Sequence, residues 1–212
     1  LKAWMERVMA ADLVALDTET TSLSYMEAEL VGLSFAVAAG EAAYVPVAHR
    51  YAGAPPQLPR EEVLKLLRPW LEDSSHHKLG HHLKYDAHVL HNHGVELAGM
   101  RFDTMLESYV LDSTATRHDL DAVARKYLGI ETITYEQVAG KGAKQLRFDD
   151  VPVEQAAPYA AEDADVTLQL HQKLWPQLEA TGHLAELYET LEQPLVPRSE
   201  EHTSELQSQF RI

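Results

Sequence analysis

The sequence predicts an α/β fold, a mixed sheet flanked by helices, and the order of its segments is the reason. Three short apolar runs joined by tight links come first, and amphipathic segments broken by brief strand-like pieces follow. Leu1–Met9 places Leu1, Trp4, Met5 and Val8 at the spacing of a short amphipathic helix. Leu13–Leu16 is a continuous apolar run that leads into two carboxylates and a Thr/Ser-rich turn, so it reads as a buried strand. Leu30–Val37 is a second strand and Ala43–Val47 a third, with Gly40-Glu41 turning the chain between them. Links this short favour antiparallel hairpins. Residues 51–59, with three prolines and a glycine, form a loop. Glu61–Leu71 is a helix with Val63, Leu64, Leu67 and Leu71 on one face and Pro59 just ahead of it. Lys78–Gly80 is a short strand, and a helix from about Leu83 to His93 is stopped by Gly94. Phe102–Leu111 and Asp119–Leu128 read as two further helices, the second ended by Gly129. Gly140-Lys141-Gly142 is a flexible basic loop. The last long helix runs from near Pro158 to Trp175, with a weaker one to Leu191, and no internal repeat is present.

With 212 residues the chain is long enough for one substantial domain. No segment approaches the roughly 18 apolar residues of a membrane helix, and no signal-peptide pattern opens the chain. A cytoplasmic monomer without a membrane partner is therefore expected, and a start at Leu1 rather than Met suggests a fragment. The absence of cysteine excludes disulfides and thiolate chemistry. A formal net charge of −15 argues against a strong nucleic-acid binder relying on its own basic surface. The charge is uneven, however: Arg117 to Arg147 is about +2, leaving about −17 on the rest. An anionic partner should lie along that segment or be held by metal.

The stretch around which the chain is organised is Asp17-Thr18-Glu19. On a strand, residues i and i+2 share a face, so Asp17 and Glu19 project side by side. Two carboxylates that close repel each other and are costly to desolvate, and a hard divalent cation removes the conflict. Taken alone, such a pair is more often a strand end whose acids face water. A second acidic site, Asp86, stands in the first turn of a predicted helix, where a carboxylate is ordinarily just favourable with the helix dipole. A third group is Tyr159 with Asp163, at i and i+4 on one helical face, while Asp165 points nearly opposite. The flanking alanines leave room for another backbone or a ligand. The order D-x-E, then Asp, then Tyr-x-x-x-Asp is far more specific than its parts.

That order, together with DTETTSL, VGLSFAV, AAYVPVAH, LKYD, FDTMLESYVL, AGKG and YAAEDADVTLQLH, resembles the 3′→5′ proofreading exonuclease domain of bacterial DNA polymerase I. The resemblance covers about Leu1 to Pro197 and implies an RNase H-like mixed sheet, with antiparallel hairpin strands plus parallel strands. It implies that Asp17, Glu19, Asp86 and Asp163 hold two divalent metal ions (Mg²⁺ or Mn²⁺) and that Tyr159 hydrogen-bonds the attacking water. A tyrosine with an ordinary pKa near 10 stays mostly protonated at neutral pH, so it would orient the water rather than act as bulk base. The implied reaction is hydrolysis of the terminal phosphodiester at a DNA 3′ end, releasing a 5′-mononucleotide. The implied partners are a single-stranded or frayed DNA 3′ end and the polymerase domain of the same full-length protein. Leu23 and Tyr135 match positions that pack against the terminal bases. Core packing is the other reading of both, since buried Leu and Tyr are ordinary.

Two departures from the family pattern concern His81-His82, where the family usually has an amide pair, and Pro158, just before Tyr159. His82 would stand in for an amide that touches the substrate, and imidazole can also donate a hydrogen bond. Pro158 is tolerable in the first turn of its helix and would kink a longer one. His88 and His91, at i and i+3, have zinc-site spacing, but a solvated helix face explains them with less. An RNase D-type RNA exonuclease shares the four acids and the tyrosine, and an inert polymerase module would share the fold. Residues 198–212 read as the in-frame translation of a sequencing adapter, a non-native tail after a domain of residues 1–197.

Overall fold

A computed structural model describes residues 1–196. The chain runs α1 (Lys2–Ala10), β1 (Leu13–Thr20), β2 (Leu30–Ala38), β3 (Glu41–Pro46), α2 (Arg60–Leu71), β4 (His77–Gly80), α3 (Leu83–Asn92) and β5 (Met100–Asp103). It continues through α4 (Thr104–Leu111), α5 (Leu120–Tyr127), α6 (Tyr135–Ala139), α7 (Val153–Thr181) and α8 (His183–Leu187). The sheet has the order β3-β2-β1-β4-β5. The β1–β2 and β2–β3 pairs are antiparallel, and β1–β4 and β4–β5 are parallel. This is the mixed sheet that the sequence predicts. The adapter-like tail, 198–212, lies outside the described residues.

Alternation along the central strand sorts its two faces. Val14 and Leu16 join Val8, Leu67, Trp70 and Leu83 in the core beneath α1, α2 and α3. Ala15 turns the other way and meets Ala36, Leu79, Ala164 and Leu168 beneath α7. Small residues on both sides of that second contact let α7 lie close to the sheet, since bulkier side chains would hold the two backbones apart. Parallel pairing between β1 and β4 stops at Ala15↔Leu79, so the end of β1 runs on past β4. The chain leaves β4 there, enters α3, and opens the crevice at which ligands sit in α/β sheets.

Three expectations need correction. Phe102 and Asp103 are not helical: they end β5, where Phe102 pairs with Leu79. The helix begins after Asp103, whose carboxylate accepts from the backbone N–H groups of Met105 and Leu106. The same carboxylate accepts from His82 N (3.1 Å) and Leu83 N (2.8 Å), so a single acid caps both α3 and α4. Second, the last long helix starts at Val153 and runs without a break to Thr181. Pro158 therefore lies beyond the first turn, not within it, and its ring nitrogen cannot donate to the carbonyl of Glu154. The packing of Ala156, Ala160 and Ala164, all fully buried, offsets the missing bond. Third, α6 forms in a stretch that the sequence left between elements, started by a capping box of Thr134 and Gln137.

Candidate active site

The face of β1 that packs beneath α7 ends in Asp17 and Glu19, and α7 supplies Asp163 from above. One carboxylate oxygen of each lies within 4.8 Å of the other two. Glu19 and Asp163 are buried, and Asp17 keeps a partly open edge. Ser34, opposite Asp17 in the β1–β2 ladder, donates to Asp17 Oδ2 at 3.4 Å. Among the described residues, Glu19 Oε1 is buried with no hydrogen-bond partner. Burial pushes the Asp17 carboxyl up to about 6. Burial also raises Glu19 and Asp163 well above the carboxylate range, with repulsion from Asp17 next in both. Three oxygen donors, mutually repelling and one of them orphaned, fit a hard divalent cation.

Asp86 is not in that cluster. It comes from the first turn of α3, on the other side of β1, and is buried. Thr18 donates to Asp86 Oδ1 twice, from its backbone nitrogen (2.9 Å) and from Oγ1 (2.6 Å). Burial raises this carboxyl too, followed by repulsion from Asp17. Asp17 thus repels each of the other three acids, and Asp86 also repels Glu19, so all four carboxylates share one field.

Tyr159 reaches Asp163 one turn along α7, and burial followed by Asp163 raises its hydroxyl well above 10. Its ring meets Phe148 (5.8 Å) and Tyr135 (6.4 Å), which stack on each other at 6.3 Å. Tyr135 is partly exposed and its hydroxyl donates to Leu146 O. Leu23 is 92% exposed, which excludes the core reading for it. His82 holds a left-handed backbone (φ 68°) at the start of α3, and its ring lies 6.3 Å from that of Tyr85. His81 is committed inward, to Thr104 Oγ1 and His118 O. His88 stacks on Tyr25 and His91 pairs with Glu96, so the histidines at zinc spacing are engaged elsewhere. Among the described residues, the carboxylate trio is the metal-ligand group that forms.

Several participants escaped the sequence. Tyr44 lies across Gly32, the ladder partner of Glu19, and its hydroxyl bonds His49 Nε2 at 2.8 Å. Burial, then Glu19 and Asp17, raises that hydroxyl. The Tyr85 hydroxyl bonds Thr20 Oγ1 and Ser22 O. Strand alternation did hold a signal for Thr18 and Thr20. They sit on the face opposite the acids, toward α3, where a hydroxyl needs a partner.

A family model described as 3′-5′ exonuclease matches residues 1–179. DNA polymerase I of Pseudomonas aeruginosa is 59% identical over 197 residues, covering 92% of this chain and 22% of that protein. DNA polymerase I of Rhizobium leguminosarum is 44% identical, covering 93% and 21%. The chain thus spans about a fifth of these relatives. Among solved structures, the polymerase domain of Pol1 from M. smegmatis, in complex with DNA primer-template and dNTP, has a TM-score of 0.69 at 23% identity, covering 92% of this chain and 29% of that one. Escherichia coli RNase D, an exoribonuclease involved in structured RNA processing, has a TM-score of 0.64 at 20% identity, covering 93% and 48%.

Proposed function

The chain belongs to the 3′-5′ exonuclease family, and from that premise we propose that it removes nucleotides from DNA 3′ ends, releasing 5′-mononucleotides, as the proofreading part of a DNA polymerase I. The observation that carries the reading is the acid trio, whose carboxylate oxygens lie within 4.8 Å of one another and leave Glu19 Oε1 without a hydrogen-bond partner, a want that a cation would meet.

Asp17, Glu19 and Asp163 would hold one divalent cation, and Asp86 with Asp17 a second, either Mg²⁺ or Mn²⁺. Such ions neutralise phosphoryl oxygens and make water a better nucleophile at neutral pH. The protein's own part is to set geometry. Tyr159 keeps its proton at neutral pH, so it orients the attacking water by hydrogen bonding and does not remove its proton. The exposed Leu23 and half-exposed Tyr135 offer apolar surface to the terminal bases, a mode of contact that accepts any base. His82, at the start of α3, would offer its imidazole to the same strand end. The substrate would be a single-stranded or frayed 3′ end, the protein partner a polymerase domain of the same full-length chain, and the working form a cytoplasmic monomer. Among the described residues no helix is long and apolar enough to cross a membrane. Residues 1–197 form the domain in this reading, and 198–212 a translated adapter, which resequencing across codon 197 tests.

Digestion of 5′-labelled single-stranded DNA, with Mg²⁺ or with EDTA and beside Asp163→Ala, tests the reaction. A metal-dependent ladder shortening from the 3′ end, absent in the variant, is expected. Equal loss of an RNA of the same sequence would favour the RNase D-type reading. No shortening of either strand by folded protein would overturn both.

A further inference from the structure

Past the end of β4, β1 carries two rows of side chains. Asp17 and Glu19 face α7, and Thr18 and Thr20 face the first turn of α3, where they meet Asp86 and Tyr85. We propose that Thr18 is the positioning residue of Asp86, fixing which of its two carboxylate oxygens is left to hold the second cation. The inference rests on the two-cation reading above and deepens it.

Both donors of Thr18 converge on Oδ1, at 2.9 and 2.6 Å. A carboxylate ordinarily rotates over a broad, twofold range about its terminal torsion. Two donors on the same oxygen remove that freedom, and charge-assisted bonds of this length are the stronger kind. The backbone donor is available because pairing with β4 ends at Ala15, so Asp86 takes up an N–H that a longer β4 would have used. The hydroxyl is well aimed because a β-branched side chain on a strand is stiff at χ1. Metal sites rely on such outer contacts, whose removal typically costs about 10- to 100-fold in affinity or activity. The helix itself has another tie to β1. The Tyr85 hydroxyl bonds Thr20 and Ser22, and Asp103 caps the start of α3. Loss of the Thr18 hydroxyl should therefore free the Asp86 carboxylate and leave α3 where it is.

The test compares wild type, Thr18→Val, Thr18→Ser and Asp86→Asn. Valine keeps the strand and the backbone donor but lacks the hydroxyl, and serine restores it. Mn²⁺ binding would be counted by electron paramagnetic resonance in the presence of a 5′-mononucleotide, beside steady-state cleavage of single-stranded DNA and thermal melts in EDTA. Two Mn²⁺ are expected for wild type. Thr18→Val should weaken one of them about 10- to 100-fold, with a matching fall in kcat, KM for DNA within about twofold and a melt lowered only by the one lost hydrogen bond. Thr18→Ser should stay within about threefold of wild type. Thr18→Ala carries the same expectation as valine and replaces it if valine does not fold. Asp86→Asn losing one ion while Thr18→Val and Thr18→Ala keep both would overturn the role of Thr18 alone. Asp86→Asn keeping both ions would overturn the two-cation reading and the inference with it. Serine as damaging as valine would also overturn the inference, since the hydroxyl would then not be the cause.

Discussion

Asp17, Glu19 and Asp163 are brought together mainly by backbone geometry, whereas the Asp86 carboxylate is aimed by the backbone nitrogen and hydroxyl of one residue, Thr18. The first three sit on a central strand and on a long helix pressed against it through alanines. Register and close packing bring them together, and no local hydrogen bond is needed to aim Glu19. Asp86 stands on a short helix at the open end of β1 and is held by Thr18. The two halves of the site thus differ in what they tolerate. The packed half stores repulsion among buried acids in a frame that cannot relax, and the α3 half is adjustable through single hydroxyls.

The largest effect should come from the packed half. Asp163→Asn keeps the shape of the side chain and removes a charge from the proposed cation site. Exonuclease activity should fall about 1,000-fold or more, because stabilising phosphoryl charge supplies several kcal/mol. The same variant should melt higher than wild type in EDTA at pH 7, since one of the repelling buried carboxylates is gone. A lower melting temperature would show that Asp163 contributes packing rather than strain. Next is Gly32→Ala. A Cβ at Gly32 would come within 2.1 Å of the Tyr44 hydroxyl, which His49 holds in place. The frame should lose about 1–3 kcal/mol by urea denaturation, as overpacked cores do. A neutral result would mean that the packed half is as adjustable as the other.

The same contrast governs what could be read from the chain. Strand alternation and helix spacing made the packed half legible: Asp17 with Glu19, and Tyr159 with Asp163, follow from periods of 2 and 3.6 residues. The hairpins, the short β4 and the glycine stop after α3 were legible for similar local reasons. The ties across the α3 half were not, because a hydrogen bond between Thr18 and Asp86 joins residues far apart in sequence. The helix assigned to Phe102–Leu111 failed in the same way. Its first residues were taken by a parallel ladder with Leu79, and only tertiary context reveals Asp103 as a cap shared by two helices. Pro158 misled because proline is a local stop signal, and here burial of an alanine stripe outweighs it.

The pH response sets one acid of the packed half against two histidines. Burial lifts the folded-state Asp17 carboxyl from 3.8 to about 6, so the folded protein binds that proton more tightly than the unfolded chain. Its stabilising contribution in metal-free protein is present below 3.8 and is lost as pH rises through about 6. Burial moves His81 and His171 the opposite way, from 6.5 to about 4. Their contribution is present above 6.5 and is lost as pH falls toward 4. In EDTA the two effects should partly cancel in wild type between pH 7 and 5. Asp17→Asn should melt several degrees above wild type at pH 7, at roughly 2–4 °C per kcal/mol, and that advantage should shrink to about half by pH 5, since it vanishes only below 3.8. A constant difference across that range would exclude Asp17 as a titrating contributor.

The smallest effect tests the adjustable half directly. His82 occupies a left-handed backbone conformation with φ of 68°, where most residues are strained. Asparagine is among the few side chains that adopt this conformation readily, and histidine is another. His82→Asn should therefore change stability by no more than about 0.5 kcal/mol. His82→Val should cost about 1–2 kcal/mol, because a β-branched residue clashes with its own backbone there. In neither variant does the Asp103 contact disappear, since it is made by the backbone nitrogen of residue 82. If stability follows the backbone preference while KM for single-stranded DNA differs between histidine and asparagine, the ring at position 82 meets the substrate. If KM is the same for both, the residue serves only to turn the chain into α3, and the adjustable half of the site reduces to Thr18, Tyr85 and Asp86.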